Sequence, residues 1–346
     1  MTNDTVNFNS SLLKNFSYNC VQQEFEILKE QINSQISWKT NSLDIKSTIY
    51  QLSDEQISAF EQIEKYTDDI SNIPQCHKIL AIVSKEIIDR CENGVGFVIL
   101  RGINAKDYSR SALKSIFYNF CNISGDIVKQ NSNGETICEV TDFNKGKMKD
   151  SNVRAYLTNE ALGFHSDSSD ILALFCEKAS SIGGDSLVVS AVTIHNQILE
   201  KYSEYLSLFY TGFFYDDRGQ EAIGKLPAYR NPVFTFYENK LSCRYYLVNY
   251  IEPAYKKLGI DMSPFEKNAL EIFNSIAEDP NNYISFRMEE GDMIFYSNNN
   301  VLHGRTAYDD LSHENSQRRR LYRVWLNPYK PRKLPEDFAR YRFGYT

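Results

Sequence analysis

The chain is poor in the features that would assign it to several common classes. Seven cysteines are scattered through 346 residues without a C-x-x-C pair. An odd, unpatterned set is expected to be reduced and buried in a cytoplasmic protein, and it offers no zinc framework. There is no excess of basic charge: 38 Lys and Arg face 45 Asp and Glu, for a net charge of −7. Nucleic-acid binding needs clustered positive charge, so that class of partner is not expected. The longest apolar run, Ile171 to Cys176, is about six residues, far short of a membrane span. The stretch "MTNDTVNFNSSLLKNF" has neither a basic start nor a long apolar core, so it does not read as a secretory signal. No internal repeat or low-complexity segment stands out, and only five histidines are present.

What remains is an ordinary globular composition, 42% hydrophobic and 24% charged, with aromatics at 13%, which suits a sheet-rich core. Residues from about 8 to 90 carry helical spacing, in Asp54 to Ile70 (capped by Ser53 or Asp54) and in Cys76 to Cys91. At "NGVGFVILRG" glycine ends the helix and a β-branched run follows. Tyr108 to Gly125 returns to helix. From about residue 153 the pattern is short strands: "VRAYLT", "ILALFC", "DSLVVS", "PVFTFY", "LSCRYYLV", "YISFRM", "DMIFYS" and "RLYRVWL". Helices at Ala191 to Tyr210 and Ser263 to Asp279 interrupt them, and "NNN" (Asn298 to Asn300) signals a turn. Several strands after a helical start, without regular β-α alternation, indicate a mainly β jelly roll with helical additions. The expected organisation is a helical region 1–92 packed on a catalytic domain 93–346.

The chemistry centres on "GFHSDSSDILALFC", where His165 and Asp167 stand two apart. Such a pair is common by chance and says little alone. On a strand, however, residues two apart share a face, so imidazole and carboxylate converge. "EEGDMIFYSNNNVLHGRTAY" places His303 on a later strand. Two histidines and one carboxylate on one side of a metal leave its other side open, a set that suits Fe(II). His195 lies in an apolar helical stretch and reads as packed, and His77 and His313 read as surface residues. A metal-binding cupin-like barrel without oxygenase chemistry and a silent binding module are the readings from other classes.

Taken in order, "FHSD…GGDS…GDMIFYSNNNVLHGRTAY…RRRLYRVWL" resembles the TauD/TfdA group of Fe(II)/2-oxoglutarate dioxygenases over roughly residues 93 to 330. The resemblance implies a double-stranded β-helix core and iron held by His165, Asp167 and His303. It also implies that Asp167 occupies the place where halogenating relatives bind halide. In the basic cluster, Arg319, Leu321, Arg323 and Trp325 alternate onto one strand face and Arg318, Arg320 and Tyr322 onto the other. By the family's spacing, Arg319 takes the far carboxylate of 2-oxoglutarate and Arg323 stands beside it, at co-substrate or substrate. A one-residue slip would turn Arg318 or Arg320 inward instead. Ser186 in "GGDS" adds a hydroxyl to the same carboxylate. The implied reaction hydroxylates a C–H bond of a small polar metabolite, an amino acid or amino-acid-like acid, and turns 2-oxoglutarate and O2 into succinate and CO2. Desaturation, cyclisation or C–S or C–N cleavage would use the same residues. Tyr156, Asn159, Asp217 (in the loop "YDDRGQE") and Arg244 are candidate substrate contacts. A homo-oligomer is left open.

Overall fold

The computed structural model describes residues 26–64, 74–143, 155–216, 228–246, 248–310, 318–336 and 338–345. Two antiparallel-rich sheets face each other, and helices cover the outer side of each. The main sheet runs, in spatial order, Ile49–Gln51, Phe97–Arg101, Met293–Ser297, Ile171–Lys178, Arg320–Asn327 and Asp126–Ile127, with Ile137–Val140 also paired to Arg320–Asn327. Only its edge pair, Ile49–Gln51 on Phe97–Arg101, is parallel. The second sheet runs Tyr283–Phe286, Ser186–Ser190, Val301–Arg305 and Leu162–His165. Leu172, Ile294, Tyr296, Leu321 and Trp325 of the main sheet share a buried cluster with Val188, Ile284 and Val301 of the second. This is the sheet-on-sheet core expected of a jelly roll.

Covering both faces explains why the central strands read as unbroken apolar runs. In Ile171–Lys178, Leu172, Leu174 and Cys176 turn towards the second sheet. Ile171, Ala173 and Phe175 turn the other way, onto a cluster with Leu80, Val83, Ile87, Phe117 and Phe120. Those five come from helices Pro74–Asn93 and Arg110–Ser124. Inward positions of the first, Cys76, Leu80, Val83, Ile87 and Cys91, recur at three and four, which is the helical period. Helix Asp54–Glu64 begins with the expected cap: Ser53 Oγ accepts from Gln56 N–H and Gln56 Oε1 accepts from Ser53 N–H.

Several segments differ from the sequence expectation, among them an added helix at Ile251–Leu258. Residues 26–44 contain no α-helix, and Ile49–Gln51 is instead an edge strand of the main sheet. The expected strand at 153–158 is, in its described part, a 3-10 turn at Ala155–Leu157. The expected helix Ala191 to Tyr210 breaks after Ala191–Lys201, where Tyr202 leaves helical geometry, and resumes at Leu206–Thr211. Six cysteines among the described residues are free and buried. No helix among the described residues is long and apolar enough to cross a membrane.

Two predictions follow from this packing. Phe295 is fully buried and meets Phe120 edge-on at 5.8 Å, joining sheet to helix. Phe295→Ala should cost about 3–5 kcal/mol, seen as a lower denaturant midpoint in one transition that circular dichroism and tryptophan fluorescence report together. His195 is fully buried, with Nε2 3.0 Å from the Tyr210 hydroxyl. Burial lowers its pKa from 6.5 to about 4. The unfolded chain therefore binds the extra proton first as pH falls. The stability is complete above about pH 6.5 and falls by about 3 kcal/mol towards pH 4. His195→Gln should flatten that part of the stability–pH curve.

Candidate metal centre

His165 ends strand Leu162–His165, and His303 sits in the middle of Val301–Arg305. The antiparallel register sets the two directly opposite each other. Their ring centroids are 4.3 Å apart. Asp167 is not on the strand, contrary to the expectation that strand alternation aims it. It lies in the turn just beyond, and two contacts aim it: its N–H donates to Asn298 Oδ1 at 3.0 Å, and Trp325 Nε1–H donates to its Oδ2 at 2.9 Å. One ligand atom from each of His165, Asp167 and His303 lies within 4.8 Å of the others. His303 Nε2 stands 4.0 Å from Asp167 Oδ2.

The donor set fits a divalent metal. His165 Nδ1–H donates to the Gly163 carbonyl at 2.9 Å, which leaves Nε2 as the lone-pair nitrogen. Burial, and for His303 the neighbouring His165, holds both imidazoles below their ordinary pKa, His303 at about 3, so both are neutral at physiological pH. Burial alone would raise the Asp167 pKa. The Arg323 guanidinium, with the hydrogen bond from Trp325, outweighs it and holds the carboxyl below its ordinary value.

The three side chains stand between two cavities. The inner one lies between the sheets and is lined by Ser186, Tyr296, Arg305, Arg319 and Arg323. Arg319 takes the inward position, while Arg320 points to the opposite face and pairs with Glu177 at 3.1 Å. The one-residue slip therefore does not occur. Arg319 Nη1 is buried without a hydrogen-bond partner, and its guanidinium stacks 4.9 Å over Tyr308. Arg305 stacks on the same ring at 4.8 Å and donates to the Thr158 and Glu160 carbonyls. Burial, and then Arg319, lowers Arg305 to about 10. Two buried cations and an orphaned N–H make a receptor for an anion. Gly184, at φ +75°, lets the backbone pass close to this arginine: a Cβ there would meet Ser180 Oγ at 2.5 Å and Arg319 Nε at 3.2 Å.

The outer cavity shares His165, Asp167, Tyr156 and Arg323 with the inner one. Its wall is rich in tyrosine, with Tyr215, Tyr229, Tyr246, Tyr250, Tyr341 and Tyr345 added to Tyr156. Arg323 is held between Tyr156 at 4.4 Å and Trp325 at 5.1 Å, and donates to Gln130 Oε1 at 2.8 Å. Of the remaining candidates, Asn159 is exposed and contributes a backbone carbonyl to Tyr308 N–H. Arg244 belongs elsewhere: it is fully buried and pairs with Asp170 at 3.3 Å. Asp217 lies outside the described residues. Asn298, Trp325 and Arg305 were missed as site residues. Trp325 had a signal, since it alternates onto the face of Arg319 and Arg323, and Arg305 stands two residues from His303.

Two imidazoles and one carboxylate that could share a metal ion, beside a cation-lined pocket and a second cavity, are the donor set of the facial-triad non-haem oxygenases. The comparisons agree. The family model described as Taurine catabolism dioxygenase TauD, TfdA family matches residues 62–325. The chain belongs to that family. FR-33289 synthase of Streptomyces rubellomurinus (strain ATCC 31215) is 32% identical over 332 residues, 92% of this chain and 97% of the relative. Taurine hydroxylase-like protein SAT17 of Stachybotrys chartarum is 23% identical, covering 78% of this chain and 69% of its own length. Among solved structures, asparagine oxygenase with Fe(II), 3-hydroxyasparagine and succinate superposes with a TM-score of 0.58 at 15% identity, over 81% of this chain and 93% of that one. The non-haem iron oxygenase OrfP with Fe and alpha-ketoglutaric acid gives 0.58 at 12% identity, over 80% and 93%. These neighbours share the fold.

His165→Ala, Asp167→Ala and His303→Ala should each abolish stoichiometric Fe(II) binding. Trp325→Phe keeps the ring but frees Asp167, and should weaken metal affinity about 10- to 100-fold with little change in thermal midpoint. Anaerobic Fe(II) titration measures both.

Proposed function

We propose that this enzyme is an Fe(II)/2-oxoglutarate-dependent hydroxylase of a small amino-acid-like acid. His165, Asp167 and His303 hold the iron. Arg319 takes the far carboxylate of 2-oxoglutarate through its open Nη1, and Ser186 adds a hydroxyl beside it. Arg323 crosses between the two cavities, and its contact with Asp167 fixes the carboxylate while its exposed edge faces the substrate. Tyr156 lies flat against that guanidinium and completes the shared wall. Iron bound here, with 2-oxoglutarate and O2, supplies the oxidising power for C–H hydroxylation, and 2-oxoglutarate leaves as succinate and CO2. The protein's own contribution is to keep both imidazoles neutral, orient the carboxylate through Trp325 and Asn298, and exclude water between the sheets.

The single observation that carries this reading is the unpartnered, buried Arg319 nitrogen in the pocket beside the triad. A buried cation of that kind is costly unless an anion completes it. The choice of substrate class rests on the polar, tyrosine-rich outer cavity. It also draws on the solved neighbours, which hold hydroxylated asparagine or hydroxylated arginine beside iron and succinate.

The test is an anaerobic visible titration with Fe(II) and then 2-oxoglutarate. A charge-transfer band should appear in the native protein and be absent in His165→Ala. Arg319→Ala should lose about 1.5–3 kcal/mol of 2-oxoglutarate binding, roughly a 10- to 150-fold rise in Kd. Bound metal with no band at any 2-oxoglutarate concentration would reject the co-substrate and favour a cupin-like metal protein.

A further inference from the structure

The substrate-side cavity is completed by residues beyond the family match, which ends at residue 325. Tyr341 and Tyr345 line that cavity, with their rings stacked at 4.2 Å and 16°. Between them, Arg342 turns inward and is buried. Its Nε donates to Asp170 Oδ1 at 2.9 Å and its Nη2 to Asp170 Oδ2 at 2.6 Å. Asp170 stands three residues past Asp167. Arg244 and Asn299 also reach its carboxylate, each at 3.3 Å, and its N–H donates to Asn327 Oδ1. Asn327 Nδ2 in turn donates to the Arg342 carbonyl at 2.9 Å. One buried carboxylate thus ties the turn carrying Asp167 to the segment carrying the two tyrosines.

The backbone of that segment is shaped for the task. Ala339 and Tyr341 adopt left-handed φ values of 65° and 63°, an uncommon conformation for residues with side chains. Such geometry persists where surrounding contacts over-determine it, and it gathers at functional sites. Gly344, at φ +88°, docks its backbone against Lys129: a Cβ there would lie 2.8 Å from Lys129 N. Arg340 stacks over Tyr229 of the opposite wall at 4.5 Å.

We propose that residues 338–345 form a strap over the substrate cavity, latched by Arg342 to Asp170, with Tyr341 and Tyr345 as the wall that shields the metal centre on that side. The assignment of the cavity to substrate rests on the function proposed above; the strap itself is judged separately. Arg342 acts as a positioning residue through Asp170.

Trp325 reports the result, since it lines the cavity, and the chain has only one other tryptophan, Trp38. In a Trp38→Phe background, acrylamide quenching of Trp325 should rise several-fold in the Tyr341→Ala/Tyr345→Ala variant. The thermal midpoint and the 2-oxoglutarate affinity should stay unchanged. Arg342→Met should also raise quenching, here with a lower midpoint because buried Asp170 loses a partner, and Arg342→Lys should restore much of the protection. Unchanged quenching in the double-tyrosine variant would overturn the strap. So would a rise in that variant accompanied by a lower midpoint and a weaker 2-oxoglutarate band, which would mark general loosening. Absence of the band in the parent protein would instead reject the co-substrate assignment, while the quenching result still decides the strap.

Discussion

The site depends on one cross-strand pairing, His165 opposite His303 in the second sheet. Side chains alternate along a strand, so a shift of one residue would turn His303 outward and bring Leu302 to the metal side. Leu302 is committed to the opposite side, in the cluster that includes Val189, Ile194 and Phe273. The apolar packing of that outer face therefore fixes the position of a polar group on the inner one. Tyr296 stacks on His303 at 5.3 Å from the adjoining sheet, which restricts the imidazole further. Burial then supplies the neutral form that an imidazole needs to act as a metal ligand.

From that pairing the two cavities follow. One lies between the sheets, lined by the buried Arg305 and Arg319. The other lies among tyrosines and serine hydroxyls, which offer hydrogen-bonding groups held on rigid rings. Arg323 belongs to both, clamped between Tyr156 and Trp325. The turn between His165 and Ile171 links these parts, because Asn298 and Trp325 hold Asp167 while Asp170 anchors Arg244 and Arg342. A carboxylate this deeply buried is tolerable only when paired and hydrogen-bonded, and Asp170 has two guanidiniums and an amide.

Much of this was legible in the chain. The alternation in "RRRLYRVWL" placed Arg319, Arg323 and Trp325 on one face, and both the strand and its orientation were realised. The apolar runs of the central strands announced burial on both sides. The cluster of His165, Asp167 and His303 was legible because a histidine and an acid at close spacing, with a later histidine after a turn, make a pattern of chemical types. Arg244 was misread because its neighbours in sequence resemble a polar strand, whereas its partner, Asp170, stands 74 residues away. Asn298 was read as a turn residue, which it is, but its side chain also aims Asp167 across 131 residues.

By itself the sequence determined the elements whose signals are local: helical spacing, strand alternation, the inward face of the arginine strand and the residue types able to bind iron. Only the tertiary structure decided how Asp167 is aimed, that Arg305 joins Arg319 on Tyr308, and that Tyr341 and Tyr345 come to stand before the metal centre. The physical reason is range. Periodicity acts over a few residues, whereas hydrogen bonds, ion pairs and cavities depend on which distant segments the closed core brings into contact.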